Sequence, residues 1–480
     1  MPKRLSQINS GHFCPLTVAD RSKAFKATHA TIQRMIVAAA RGLIAHAFPI
    51  LIAQLASIGM MVVDTVVLGH VSALDLAAVA IGGGIHVSLL FALIGILQAV
   101  APIVAQLHGA RRDGEVAGVL QQGFWLAMLL SVPGMVFLTH PGVLLDVVDM
   151  DPVVDGKVRQ YLGLLAWSVP AALCYRTFYA FCNALGKPGV LMAIGLCSLF
   201  LHALLAWGLA LHGWSGRPLG VVGCALSNVL IGWLACFSGA AYLHWGPLGH
   251  RYQPFAGWQL PCWRIWRELL RLGIPMGLSN LIEITSFTLI SLFIASLGPA
   301  VVAGHRIIAN ISALTYMLPL SLAIATMAAV GQAVGARDWS RSHATIKAGL
   351  LLAAGLSSLA GASLWLAAQP LIASYTDDPA VRGVALSLIL YVAAYQFFDA
   401  LQTVAGHVLR AYRVTFVPML VQTFCFWGIG LLGGAWLCYR WQPPIGVAGF
   451  WLAAVVGLVF AASLLLPLLY TTLREYETSL

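Results

Sequence analysis

The amino-acid sequence predicts an all-α polytopic membrane protein, with twelve transmembrane helices in two parallel-repeat six-helix lobes around a central cleft. Of the 480 residues, 60% are hydrophobic and only 9% are charged, whereas about a quarter of a soluble domain is charged. Apolar windows long enough to cross a bilayer recur along the whole chain, and its two halves resemble each other. A mean hydropathy of +0.86 excludes a soluble protein and one with a single membrane anchor.

The spans are windows of about 20 to 30 apolar residues, enough to cross a hydrocarbon core about 30 Å thick. Their predicted limits are 43–68, 76–107, 119–140, 158–183, 189–213, 219–245, 269–297, 301–330, 344–369, 380–407, 414–438 and 444–473. The predicted domains are an N-terminal tail (1–42), an N-terminal lobe (43–245), an inter-lobe loop with an interfacial helix (246–268), a C-terminal lobe (269–473) and a C-terminal tail (474–480). A start at Met35 would leave every span intact, and the preceding residues lack the apolar core of a signal peptide.

The basic residues predict the orientation of the chain. Most of the 27 Lys and Arg residues lie in the N-terminal tail, the even-numbered loops and the C-terminus, so both termini are expected to be cytoplasmic. The same cations are too sparse for a phosphate-binding surface, which excludes nucleic acid as a partner. The nine cysteines are scattered and contain no CxxC pair.

The two halves of the chain align at one fixed offset of 226 residues. Pro49 falls on Pro275, and Lys187 falls on Arg413. The segment 106–111, with the pattern Gln-x-x-Gly-Ala-Arg, falls on 332–337. An even number of spans per repeat gives both halves the same orientation, related by an axis along the bilayer normal. Two such lobes can rock about a central cleft, which favours a transporter over a channel.

Three acidic side chains lie inside predicted spans: Asp64, Glu283 and Asp399. A carboxylate at mid-membrane costs roughly 2.5 to 3.5 kcal/mol, so each requires a compensating role. Helical spacing puts Ser279, Asn280, Ser286 and Phe287 on the face of Glu283, and Tyr395, Gln396, Gln402 and Thr403 on the face of Asp399. Both oxygen-rich faces suit a small cation. The alternative is a structural role as protonated interhelical hydrogen-bonding groups.

Other charged residues have simpler interpretations. Asp378 and Asp151 each precede a proline at the start of a span and are predicted to be helix N-caps. Arg176 and Arg306 lie inside spans, where they would reach the membrane surface or pair with an acid. The segment 263–273 carries three arginines on one face and is predicted to be an interfacial helix before span seven. Because no HExxH, GxSxG or Walker motif is present, we expect neither an enzyme nor a cofactor.

The sequence resembles the multidrug and toxic compound extrusion (MATE) family, in its NorM-like bacterial branch. The resemblance covers about residues 40 to 473 and is carried by the motif Val63-Asp64-Thr65-Val66, the run from 101 to 106 and the repeated Gln-x-x-Gly-Ala-Arg loop. One departure is His305-Arg306, where an uncharged second residue is expected. The family resemblance implies a monomeric protein of the bacterial cytoplasmic membrane.

The resemblance also implies roles for individual residues. The implied cation-coupling residues are Glu283, Asp399, Tyr316 and Asp64, the first three as ligands of Na⁺. The implied substrate-binding residues are Asp378, Phe287, Asp64 and Tyr395.

These observations predict a secondary antiporter that exports small organic cations, such as dyes and antimicrobial drugs, and that contacts membrane lipids. The coupling ion is expected to be Na⁺, with H⁺ as the alternative. An oxygen-rich helix face suits Na⁺, whereas a carboxylate among apolar side chains could bind H⁺. A lipid-linked oligosaccharide flippase of the same superfamily fold is the alternative function. Such a flippase would need basic rather than acidic side chains around its cavity.

Overall fold

The chain folds into a bundle of long helices in the computed structural model, which describes residues 18–146, 151–213, 218–443 and 445–478. Side chains are described from residue 33 onward, apart from those of 143 and 144. Eleven helices in these ranges are long and apolar enough to cross a membrane: Gln33–Gly69, Ala73–Gly109, Asp113–Thr139, Gly189–His212, Val221–Trp245, Trp263–Leu297, Pro299–Gly335, Trp339–Leu366, Pro379–Ala411, Phe416–Tyr439 and Val447–Thr478. They are spans one to three and five to twelve.

Span four is the remaining crossing, and its helix is interrupted. It consists of the helices Pro152–Leu165 and Val169–Ala184, joined by a tighter 3₁₀ turn at Ala166–Ser168. Pro170 follows this turn, and because proline has no backbone N–H, the carbonyl of Ala166 loses its helical partner. With span four included, the predicted twelve-helix fold is confirmed.

Span seven begins earlier than the sequence predicts. The helix Trp263–Phe293 is continuous, so the predicted interfacial helix at 263–273 is the first part of span seven. The short helix Pro247–Tyr252 precedes it, and the connecting residues 253–262 have no regular helix. One continuous helix therefore joins the inter-lobe loop to Glu283.

Glycines bring the two lobes into close contact where span two crosses span seven. A Cβ atom at Gly95 would lie 2.4 Å from the Cα of Gly277, and one at Gly273 would lie 2.2 Å from the carbonyl oxygen of Ile96. Only glycine leaves room for backbones this close. The crossing therefore depends on small residues in both helices.

The repeated Gln-x-x-Gly-Ala-Arg motifs meet at one end of the bundle, which we call the closed end. A Cβ at Gly109 would lie 2.0 Å from the carbonyl oxygen of Gln332, and a Cβ at Gly335 would lie 2.0 Å from that of Gln106. The Gln106 amide donates to the carbonyl oxygen of Ala411 (2.7 Å), and the Gln332 amide donates to that of Ala184 (2.8 Å). Each lobe thus holds the other through the same motif.

We expect Gly335→Ala to separate spans two and eight at the closed end, because the added methyl group would overlap the backbone of Gln106. An overpacked contact of this kind costs about 1–3 kcal/mol, so the melting temperature of the detergent-solubilised protein should fall. Gly355→Ala is the matched control, since no atom lies within 4 Å of its Cβ position. Equal melting temperatures for the two variants would contradict the close approach.

Candidate cation and substrate site

Glu283 lies in the middle of span seven, facing the other helices of the C-terminal lobe. The hydroxyl of Tyr316, on span eight, lies near its carboxylate. Asp399, on span ten, is close enough for the two carboxylates to repel each other. The structure therefore brings together the three residues predicted to bind Na⁺.

Asp399 is held by a polar network rather than by a basic residue. Its side chain is 1% exposed, and it accepts a hydrogen bond from the Gln402 amide at 3.0 Å. That amide also donates to the Thr403 hydroxyl at 3.1 Å, while Gln422 donates to the oxygen of Gln402 at 3.2 Å. Among the described residues, no lysine or arginine lies within ion-pairing distance of Asp399 or Glu283.

An aromatic cluster lies in the same lobe as this acidic pair, with Phe287 one helical turn from Glu283 and Tyr395 one turn from Asp399. Phe287 packs edge-to-face on Tyr395, with ring centroids 6.2 Å apart, and both contact Trp451. The Trp451 indole N–H donates to Nδ1 of His305 at 3.2 Å, so the His305 ring carries its hydrogen on Nε2. Rings in this arrangement offer both apolar surface and π-faces to a cation.

A small cavity lies beside Phe287 and Tyr395, within the C-terminal lobe. Its volume of about 20 Å³ is enough for one ordered water molecule. Part of its wall is formed by Cys425, Phe426 and Gly430, where the helix of span eleven widens into a π-helix at Phe424–Gly433. Such widened turns are frequent at functional sites.

Arg410 is a component of the site that the sequence did not indicate. It lies beyond the predicted end of span ten at residue 407, but it is only 8% exposed and lies near enough to Glu283 for the two charges to interact. Its guanidinium is 3.5 Å from the Gln98 side chain of the N-terminal lobe and 3.4 Å from Nε2 of His407. A buried cation at the lobe boundary is thus electrostatically linked to Glu283.

Asp64 lies in a second buried polar cluster, within the N-terminal lobe. Nε2 of His202 is 3.0 Å from Oδ1 of Asp64, and the Asn228 amide donates to Oδ2 at 2.8 Å. The hydroxyl of Ser227 is 2.9 Å from Nδ1 of His202, which completes a chain across spans one, five and six. Asp64 is therefore separate from Glu283 and Asp399. Its helical neighbours alone gave no sign of His202, because that residue is distant in sequence.

The remaining predicted residues lie outside these clusters. Asp378 is exposed and caps span ten by accepting from the backbone N–H of Ala380 at 2.8 Å; Asp151 caps span four in the same way. Both predicted caps are confirmed, and the structure does not bring Asp378 to the acidic pair. Arg176 stacks on the Tyr179 ring at 5.2 Å, and Arg306 is exposed.

Asp75 is a buried acid that the sequence assigned to a loop. It is 4% exposed and forms an ion pair of 2.6 Å with Lys157. The predicted limits of span two, 76–107, placed it just outside the membrane. Asp75 could have been assigned to span two from the sequence, because the apolar helix of that span begins just before it.

Comparison with known proteins gives consistent matches. The MatE family model matches residues 49–207 and 275–436, beginning at the two prolines related by the internal repeat. A probable multidrug resistance protein NorM from Aromatoleum aromaticum is 50% identical over 435 residues, covering 90% of this chain and 94% of that protein. The multidrug resistance protein NorM of Aliivibrio fischeri is 34% identical, covering 87% and 91% of the two chains.

Solved structures share the fold at lower identity. The crystal structure of the eukaryotic MATE transporter AtDTX14 has a TM-score of 0.84 at 18% identity, and covers 93% of this chain and 99% of its own. An outward-facing multidrug resistance MATE family transporter of the MOP superfamily also has a TM-score of 0.84, at 16% identity and with 92% and 97% coverage. With the repeat, the twelve spans and the acidic pair described above, these matches establish that the chain is a member of the MATE family of membrane transporters.

Proposed function

We propose that this protein is a multidrug efflux antiporter, which exports small organic cations in exchange for Na⁺ moving inward. The observation that carries the proposal is the juxtaposition of Glu283 and Asp399 inside the C-terminal lobe without an ion-pairing arginine or lysine in the described chain. Two adjacent carboxylates in a dry environment repel each other and are stabilised by a bound cation. A site of this kind can exchange one positive passenger for another.

The ligand chemistry favours a small hard cation as the coupling ion. Glu283, Asp399 and the Tyr316 hydroxyl would supply oxygen atoms, which hard cations prefer. Thr403 offers another oxygen beside them. Protons are the alternative coupling ion, since either carboxylate could instead be neutralised by protonation.

The aromatic groups near the acidic pair support organic cations as the exported substrates. Phe287 and Tyr395 would provide flat, adaptable contacts, while the acids select positive charge. The relatives named as multidrug resistance proteins support a broad substrate range. The acidic character of the site disfavours the flippase alternative, whose pyrophosphate head would require basic partners. We assign no catalytic role to any residue and propose a monomer.

The lobe contacts support an alternating-access mechanism. We propose that both termini are cytoplasmic in the bacterial inner membrane, which makes the closed end cytoplasmic. The predicted lobes, 43–245 and 269–473, would then rock about an axis along the bilayer normal. This movement would open the central cleft alternately to either side of the membrane. Entry of one positive charge releases about 2.3 kcal/mol per 100 mV, which corresponds to a concentration ratio of nearly fifty.

In proteoliposomes, we expect an inwardly directed Na⁺ gradient to drive export of ethidium at constant pH. A pH gradient without Na⁺ should drive ethidium export only weakly, because Na⁺ is the proposed coupling ion. Protein-free liposomes and a chain with both acids neutralised are the controls. Export driven equally by the pH gradient alone would replace Na⁺ with H⁺, and absence of export under both gradients would contradict multidrug antiport.

We expect Glu283→Gln and Asp399→Asn each to remove Na⁺-driven transport, to less than about 10% of wild type, because each removes one of two charges that bind the ion. The folded state should persist, since both substitutions remove a buried charge without changing side-chain shape. Glu115→Gln serves as a control for loss of one negative charge, as its ion pair with Arg112 is exposed. Full transport by either site variant would eliminate the coupling role.

The cluster around Asp64 makes a separate prediction. His202→Ala would leave Oδ1 of Asp64 without its partner, at a cost of about 1–3 kcal/mol in stability. Asp64→Asn should then be less costly in the His202→Ala background than in wild type, by about 1 kcal/mol. Melting temperatures of the four proteins in detergent measure this coupling. Additive effects of the two substitutions would show that the contact contributes nothing to stability.

A further inference from the structure

The inter-lobe loop is fastened to the N-terminal lobe by two neighbouring glutamines of span three. The Gln121 amide donates to the carbonyl oxygen of Pro254 at 2.6 Å, and its oxygen accepts from the backbone of Gln259 at 3.1 Å. Gln122 binds the loop in the same two ways, donating to Leu260 at 2.9 Å and accepting from Cys262 at 2.8 Å. Both glutamines are buried. The loop therefore has a fixed position on the surface of the bundle.

Large apolar side chains project from this fixed loop and its flanking helix ends. Phe255 stacks on Trp258, with ring planes 5° apart, and Trp258 also contacts Trp125 edge-to-face. Leu260 is 80% exposed and Trp263 is 68% exposed. Rings and aliphatic groups held outward by a hydrogen-bonded backbone suit the headgroup region of a bilayer, where tryptophan is enriched.

Three arginines extend the same surface along the first turns of span seven. Arg264, Arg267 and Arg271 are exposed and lie at positions i, i+3 and i+7, which share one helix face. None is ion-paired within the described residues. The nearest acid on the helix, Glu268, is bound instead to Arg413, which follows the end of span ten. The face therefore has uncompensated positive charge beside exposed rings.

We propose that this surface, formed by loop 255–263 and the arginine face, binds the headgroup of an anionic phospholipid. The arginines would contact the phosphate groups, while Leu260 and Trp263 enter the interface between headgroups and acyl chains. The proposal requires only that the protein spans a bilayer, and is independent of the coupling ion. Because the arginine face is continuous with the helix of Glu283, a bound lipid would fix the base of the helix that carries the cation site.

Native mass spectrometry of the detergent-solubilised protein tests this binding, with phosphatidylglycerol and phosphatidylcholine titrated separately. We expect the wild type to bind phosphatidylglycerol more tightly. Each basic residue near an anionic surface contributes about fivefold, so Arg264→Gln/Arg267→Gln/Arg271→Gln should weaken phosphatidylglycerol binding by about 100-fold. The single variant Arg267→Gln should weaken it by about fivefold and is the test if the triple variant does not fold.

The control removes three other exposed cations of the closed end, by Arg337→Gln/Arg341→Gln/Lys347→Gln. It should retain phosphatidylglycerol binding within about twofold, although it has the same net charge as the triple variant. Equal losses in both triple variants would assign the effect to net charge and overturn the site. Displacement of the lipid by millimolar inorganic phosphate would also overturn it, because the site would then recognise a free anion. Unchanged phosphatidylglycerol binding in the arginine variants would likewise overturn the proposed site.

Discussion

The structure depends on holding two carboxylates, the half-buried Glu283 and the buried Asp399, inside the helical bundle without an arginine or lysine ion pair in the described chain. Each costs roughly 2.5 to 3.5 kcal/mol at the centre of a bilayer. The polar groups around Asp399 reduce this cost, but the repulsion between the two acids remains. The proposed function follows from this imbalance, because a cation that enters the site relieves it.

In the proposed mechanism, the lobes separate while the geometry of this site is kept. Glu283, Tyr316 and Asp399 all belong to the C-terminal lobe, so a rigid-body movement keeps them together. Arg410 is different, since it contacts Gln98 across the lobe boundary and also interacts with Glu283. A change of charge at Glu283 would therefore alter its interaction with Arg410, and through Arg410 the contact with Gln98 between the lobes. This arrangement gives a physical basis for coupling ion occupancy to lobe movement.

The sequence predicted the fold and the local polar contacts around Asp399, for identifiable reasons. Hydropathy gives the spans, and helical spacing places Gln402 and Thr403 beside Asp399 because those contacts are local. Contacts between distant spans left no such signal. His202 reaches Asp64 from span five, and Arg410 turns into the bundle although its position near a loop suggested exposure. These arrangements depend on how whole helices are rotated against each other, which local spacing does not determine.

The closed end is symmetric in sequence but not in bonding. Gln106 forms two contacts with residues at and just after the end of span ten, since its oxygen also accepts from Arg413 at 2.7 Å, whereas among the described residues Gln332 donates only to Ala184. Lys187, the repeat mate of Arg413, is exposed and makes no corresponding contact in the described structure. The two halves of the seal therefore differ in strength. If the closed end opens, we expect the lobes to separate first around Gln332. The contacts of Gln106 would then be the last to break.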